Sequence, residues 1–389
     1  MKSDSFVVSL YTYPWDVADE GLDVSLGRIA DLAGCDEVML TPSYHRSDYF
    51  LPHHPTHPIY FGENGAIYFR PDSSRYADTK IRPRVSREVT DDGYFDRIVE
   101  EIRNKGLLFS AWMVYVFDDY LTQTYPELAR HDMFGTPHIG AVSTAPPDVR
   151  SYFLALTREV VERFEPAAVW VESLARRAFS FRGKSRADIA ARCQFLLGLD
   201  FNPAAMTYAT EAGLDAEALR QDLAAWMRPH LAAGVDDPDE PVDAAWLEEA
   251  FDGRLQRYME IAREQTTELW LEASSIIRGA GVRLQTDLAD PVRAQRDDLD
   301  PRTNRHIDRL SYSLRDGEAA ASRLRELESQ IAPGGSVFLR PEGDFRAVGP
   351  ISAQLGEARQ AGAGGVTLYN YGLLTEEQLR NIGQAVRSS

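Results

Sequence analysis

Short apolar runs recur along the chain, separated mostly by stretches with helical periodicity. Eight of them read as strands: Phe6–Tyr11, Glu37–Thr41, Leu107–Val114, Ala168–Glu172, Val282–Thr286, Ile307–Leu314, Ser336–Leu339 and Gly365–Tyr369. Most are short and unbroken, the pattern of parallel strands buried on both faces. In the sixth, Leu310, Tyr312 and Leu314 alternate with polar residues. Helical spacing appears around Leu26 to Ala33, in Tyr94–Lys105 with Gly106 as its stop, in Val149–Phe164, in Glu318–Ile331 and in Ala353–Ala361. Thr375, followed by Glu376 and Glu377, is placed to cap a last helix. Strands alternating with helices predict a parallel sheet, and eight strands favour closure into an α/β fold of the (β/α)8 or TIM-barrel type. A doubly wound open sheet is the alternative, but no glycine-rich phosphate fingerprint follows any strand.

A barrel of this kind takes about 250 residues, and the chain has 389. The excess falls in two long connections of one single-domain barrel spanning 1–389. One, 42–89, follows the second strand and is rich in His, Pro and Tyr. The other, 174–281, follows the fourth and carries helical patterns over Ala216–Met227 and from about Trp246 to Arg278. Between them lies the acidic, proline-broken stretch Val235–Pro241, read as a surface loop beside a helical cap at the barrel mouth.

The net charge of −18 argues against nucleic-acid or anionic-membrane partners, which need a basic patch. No run is long enough to span a membrane. The first residues lack a signal-peptide core, so a cytoplasmic location is expected. Two cysteines, Cys35 and Cys193, fit neither a zinc motif nor a disulfide framework and read as buried thiols. Self-association into a homo-oligomer stays open.

Enzymes on this fold carry their chemistry at the C-terminal ends of the strands. Carboxylates fall there: Glu172 after the fourth strand, Asp287 after the fifth, Glu342 after the seventh, and Asp118 and Asp119 after the third. Two such groups flanking a sugar would cleave a glycosidic bond, at about 5–5.5 Å apart with retention and about 6.5–9.5 Å with inversion. The plainer readings are that Glu172 pairs with Arg176 or Arg177, Asp287 caps a turn, Glu342 lies in the turn Arg340-Pro341-Glu342-Gly343-Asp344, and Asp118 and Asp119 sit in a solvated loop.

The segment from Ala145 to Phe164, with Pro147, Val149, Arg150 and Tyr152 spaced P-x-V-R-x-Y, leads into Ala168–Glu172. It resembles the fourth helix–strand unit of bacterial glycoside-hydrolase-like barrels, a group without a settled activity. Tyr44 to Phe69 is similar to the long loop after their second strand. Leu196-Leu197-Gly198-Leu199 and Glu211 to Asp215 are similar to the region after their fourth. The resemblance covers about half of the chain. It implies the barrel and, by analogy with retaining glycosidases, an acid/base at Glu172 and a nucleophile at Glu342. Val171 stands where that clan has asparagine, and Glu342 follows Pro341. Another clan puts its nucleophile on the fourth strand and the acid on a later one, which would favour Asp287.

Aromatic rings pack against the C–H faces of sugars while polar groups bind hydroxyls. Trp15, Trp112 and Trp170 lie on or just after strands, Tyr13, Tyr44 and Tyr371 at strand ends, and Tyr369, Asn370 and Tyr371 close the last strand with rings and an amide at the mouth. Tyr44, His45, Trp15, Trp112, Asp118, Asn370 and Tyr371 are candidate sugar contacts, with barrel packing as the alternative for Trp112 and Trp170. Arg340 pairs with a carboxylate or binds an acidic sugar. His45, His53, His54 and His57 share one loop, but no HxH or HExxH pattern supports a metal, so neither metal nor cofactor is expected. The leading expectation is a glycosidase acting on a carbohydrate; the alternatives are a metal-dependent sugar isomerase or epimerase and a carbohydrate-binding barrel without turnover. An acyl-transfer hydrolase lacks its G-x-S-x-G elbow.

Overall fold

In the computed structural model, residues 6–45, 48–175, 189–233, 241–289, 299–314 and 319–389 are described. Eight parallel strands close a barrel: β1 (Val7–Thr12), β2 (Glu37–Tyr44), β3 (Leu108–Val114), β4 (Ala168–Glu172), β5 (Arg283–Thr286), β6 (Arg309–Tyr312), β7 (Ser336–Leu339) and β8 (Gly365–Leu368). Each pairs with its neighbours in sequence, and β1 pairs with both β2 and β8. Gly365 allows the closure, since a Cβ there would lie 2.2 Å from the Val7 carbonyl oxygen.

The strands alternate more than their sequences suggest. In β3, Phe109 points outward to Phe95 on the helix Tyr94–Asn104, with ring centroids 6.2 Å apart. Ser110 and Trp112 therefore point inward. The barrel lumen holds a fully buried ion pair. Glu37 on β2 accepts from Arg309 on β6 at 2.7 Å and from Ser110 at 2.6 Å, and also from Ser9. Strands β2 and β6 are not neighbours, so this contact crosses the interior. Burial raises the Glu37 pKa, but Arg309 and the two hydroxyls outweigh it and hold the carboxyl below its usual range.

The helix layer follows the sequence pattern, and Thr375 caps the final helix Glu376–Ser388 through a capping box with Gln378. Three connections build the upper face. After β2, a hairpin (Asp48–Phe50 with Ile59–Phe61) precedes Ala66–Ile67, which pairs antiparallel with the end of β2. After β3, the helix Asp119–Thr124 and the hairpin Ala129–His131/Pro137–Val142 form an excursion the sequence pattern did not reveal. After β4, the helices Ala191–Leu197, Pro203–Glu211, Ala216–Ala233 and Ala244–Glu249 enclose a second core around Leu196, Leu219, Leu223 and Met227.

The predicted helix from Trp246 to Arg278 is broken. Phe251, Asp252 and Gly253 have φ of 56°, 58° and 74°, a left-handed turn that ends one helix and starts Arg254–Gly279. That helix carries Leu255 and Tyr258 in the second core and Leu269, Trp270 and Ile277 in the barrel core, joining the two. Most of the stretch Val235–Pro241, together with Arg176 and Arg177, lies outside the described residues. Among the described residues no helix is long and apolar enough to cross a membrane.

Candidate active site

A cavity of about 570 Å³ opens at the C-terminal ends of the strands. Tyr11 from β1, Trp112 from β3, Trp170 and Glu172 from β4, Asp287 after β5, Arg340 after β7 and Tyr369 after β8 line it, and Trp270 of the helix Arg254–Gly279 adds a further wall. Parity explains the grouping. Trp112 and Trp170 are register partners on adjacent strands, and Glu172, two residues beyond Trp170, shares its inward face.

Both indoles serve Glu172. Trp112 Nε1 donates to Oε2 at 2.6 Å and Trp170 Nε1 to the same oxygen at 3.4 Å. The next residue, Ser173, has φ of 59°, a conformation uncommon for a residue with a side chain and frequent at functional sites. Asp287 is largely exposed and faces Arg340, Oδ1 to NH2 at 3.2 Å, while Arg340 Nε donates to Ser313 at 3.3 Å. The Tyr11 ring meets Trp112 and Tyr369 edge-on, with centroids 4.7 and 5.5 Å away. Burial pushes the Tyr11 phenol well above its ordinary pKa, and the Glu172 and Asp287 carboxylates push it the same way.

The structure thus brings Glu172, Asp287, Arg340 and Trp112 to one cavity and leaves other candidates outside it. Glu342 is exposed on the turn after β7, where its backbone N–H donates to Gln354 at 2.9 Å; Pro341 carries it past the strand end. Trp15 is fully buried, stacked on Tyr13 and Tyr60 at 4.4 and 4.9 Å, so neither face is open to a ligand. Tyr44 is buried with its hydroxyl on Tyr13. His45 stacks on Tyr44 and lines a narrow crevice with Asp118. Asn370 is buried and caps the turn to Gly372, and Tyr371 is buried with its hydroxyl donated to Glu20 at 2.8 Å. Among the histidines, His53 pairs with Glu20 at 2.9 Å and His54 with Asp19 at 3.3 Å. No three His, Cys, Asp or Glu side chains among the described residues converge as a metal site would need.

Asp118 caps the helix Asp119–Thr124, its Oδ1 accepting from Leu121 N at 2.8 Å. Burial pushes its pKa up to about 7 against the lowering by these backbone donors. The folded protein then holds a proton that the unfolded chain releases near pH ~4. Stability therefore falls as pH rises through that window. The Asp118→Asn protein keeps the cap and loses the titration. Between about pH 5 and about pH 8 its urea-unfolding free energy should fall about 2 kcal/mol less than that of the parent. Equal slopes would contradict the assignment.

Sequence reasoning did not select Tyr11 or Trp270 as site residues, whereas Tyr369, read with Asn370 and Tyr371 as closing the last strand at the mouth, does line the cavity. Period-2 parity from Ser9 and Thr367 points Tyr11 and Tyr369 inward once the strands are placed. Trp270 carries no linear signal, because it arrives from a helix of the long insertion.

No protein-family model and no curated protein matches the chain. Solved structures do. The catalytic domain of a beta-amylase from Paenibacillus polymyxa superposes with a TM-score of 0.54 at 12% identity, covering 100% of this chain and 99% of that one. A beta-galactosidase from Halorubrum lacusprofundi gives 0.56 at 13% identity, over 98% of this chain and 58% of that one. An alpha-L-fucosidase from Paenibacillus thiaminolyticus gives 0.55 at 11%, over 99% and 49%. The chain spans about half of the last two proteins. At such identities the likeness is one of fold, that of glycoside-hydrolase barrels.

Proposed function

From a barrel whose fold is shared with glycoside hydrolases, we propose that this protein cleaves a glycosidic bond, using Glu172 and Asp287. The observation that carries the reading is the convergence of these two carboxylates, from adjacent strand ends, on one cavity walled by tyrosine and tryptophan. Aromatic walls suit the apolar faces of a sugar ring, and carboxylates suit its hydroxyls and its anomeric centre. One carboxyl protonates the leaving oxygen; the other attacks the anomeric carbon or activates water. Glu172, held by two indole donors, is the better fixed of the pair. Arg340 orients Asp287 rather than standing free for an anionic sugar.

The test is a panel of aryl glycosides and oligosaccharides incubated with the wild-type protein, with and without EDTA. Aglycone release that chelation leaves untouched is the expected result. Saturable sugar binding without cleavage of any panel member would make this a carbohydrate-binding barrel. Chelator-sensitive conversion of free sugars would make it an isomerase.

A further inference from the structure

The hydroxyl of Tyr11 stands apart from its neighbours. Tyr369, beside it just after the neighbouring strand β8, is hydrogen-bonded to Tyr13 at 3.1 Å, and Tyr13 also binds Tyr44 at 3.1 Å and Tyr49 at 3.0 Å. Those four phenols satisfy one another. Tyr11 lies outside the quartet. Among the described residues its oxygen has no hydrogen-bond partner, and the charges acting on it are those of the site itself: Glu172, Asp287 and Arg340. The residue is only 5% exposed and lines the cavity.

The hydroxyl is not sealed in the core but open to the cavity that Tyr11 lines, so a ligand can reach it and the fold does not depend on it. The ring contacts with Trp112, Trp170 and Tyr369 do not need the oxygen, and phenylalanine would make them equally well. Burial and the two carboxylates keep the phenol protonated, so what it offers at neutral pH is an O–H donor. Glu172 and Asp287 are acceptors when ionised, and the donor complements them: a sugar oxygen with no proton to give would find its partner here.

We infer that Tyr11 is a further ligand-contacting group of this site, donating a hydrogen bond from the cavity floor to an oxygen of the bound sugar. The inference rests on the glycosidase reading above. It differs from a packing role in one respect: removing the hydroxyl should weaken the ligand and not the fold.

Tyr11→Phe tests it, with Tyr76→Phe, whose buried hydroxyl donates to Glu159, as the contrast. Three of the tryptophans, Trp112, Trp170 and Trp270, line the cavity and report occupancy by fluorescence. The probes are iminosugars of gluco, galacto, fuco and manno configuration, cationic mimics of a glycosyl transition state. The expected result is binding about three- to tenfold weaker in Tyr11→Phe, the worth of one hydrogen bond, with Tm unchanged. Tyr76→Phe should lower Tm and leave affinity within about twofold, since the bond it loses, to Glu159 at 2.8 Å, is internal and remote from the cavity. Unchanged affinity in Tyr11→Phe overturns the inference and leaves the glycosidase reading intact. So does a fall in Tm as large as that of Tyr76→Phe. Wild-type protein that binds none of the probes overturns both.

Discussion

Replacing Glu172 with glutamine is expected to reduce turnover about 10³-fold or more while leaving the protein folded. The substitution keeps the shape of the side chain and a carbonyl oxygen to accept from Trp112 Nε1, so the indole contact at 2.6 Å survives. What disappears is the ability to carry a negative charge or exchange a proton at the anomeric centre. Loss of turnover should therefore appear in kcat, with the thermal transition within a degree or two of the parent. Glu342→Gln is the matched control. That residue is exposed on the turn beyond β7, and its rate should be unchanged. Wild-type rates in Glu172→Gln would remove the fourth-strand carboxylate from the mechanism. A loss confined to Glu342→Gln would move the chemistry to the seventh strand, against the geometry of the cavity.

The second large effect concerns stability. Glu37 and Arg309 are both fully enclosed and meet across the lumen. Removing one partner leaves the other charge buried without its counter-ion, at a cost of about 3–5 kcal/mol. Arg309→Met and Glu37→Gln should each lose about that much in urea unfolding. The pair replaced together by apolar residues of similar volume should recover most of it, because neither charge then needs desolvation. The Glu37 carboxyl sits below its ordinary pKa, so its contribution is present above the unfolded value and is lost as pH falls through the folded one. The single variants should accordingly show a shallower loss of stability on acidification than the parent. Single losses below about 1 kcal/mol would mean that the lumen is wetter than its burial indicates.

Much of this architecture is legible in the chain. The runs Ala168–Glu172 and Ser336–Leu339 mark their strands to the residue, and the capping residue Thr375 marks the start of the last helix. These are local signals: apolar periodicity and cap chemistry act over a few residues. Glu172 belongs with them, because a carboxylate closing a barrel strand is visible once the strand is. The break at Phe251–Gly253 is not, since Phe251 and Asp252 adopt a left-handed turn that their own preferences disfavour and only the packing of the cap supports. The excursion after β3 hid for a related reason. Ala129–His131 has only three residues, and Pro137–Val142 opens on a largely exposed half, so neither shows a clear alternation.

The sequence by itself determined the strand–helix alternation, the number of strands, and a carboxylate at the end of the fourth and after the fifth, because each depends on neighbours along the chain. Tertiary structure decided which candidates share a cavity. Glu342 and Trp15 follow their strands by three residues, Asp287 follows its strand directly and Trp112 lies within one, differences too small along the chain to tell them apart. Glu342 is carried past the strand end by Pro341 and Trp15 is sealed between Tyr13 and Tyr60. Tyr11 and Trp270 reach the same cavity as Glu172 from residues far away in sequence. Closure of the barrel is the physical reason: it sets strand ends from the whole chain around one axis, and which side chains face that axis depends on register and packing that no single segment encodes.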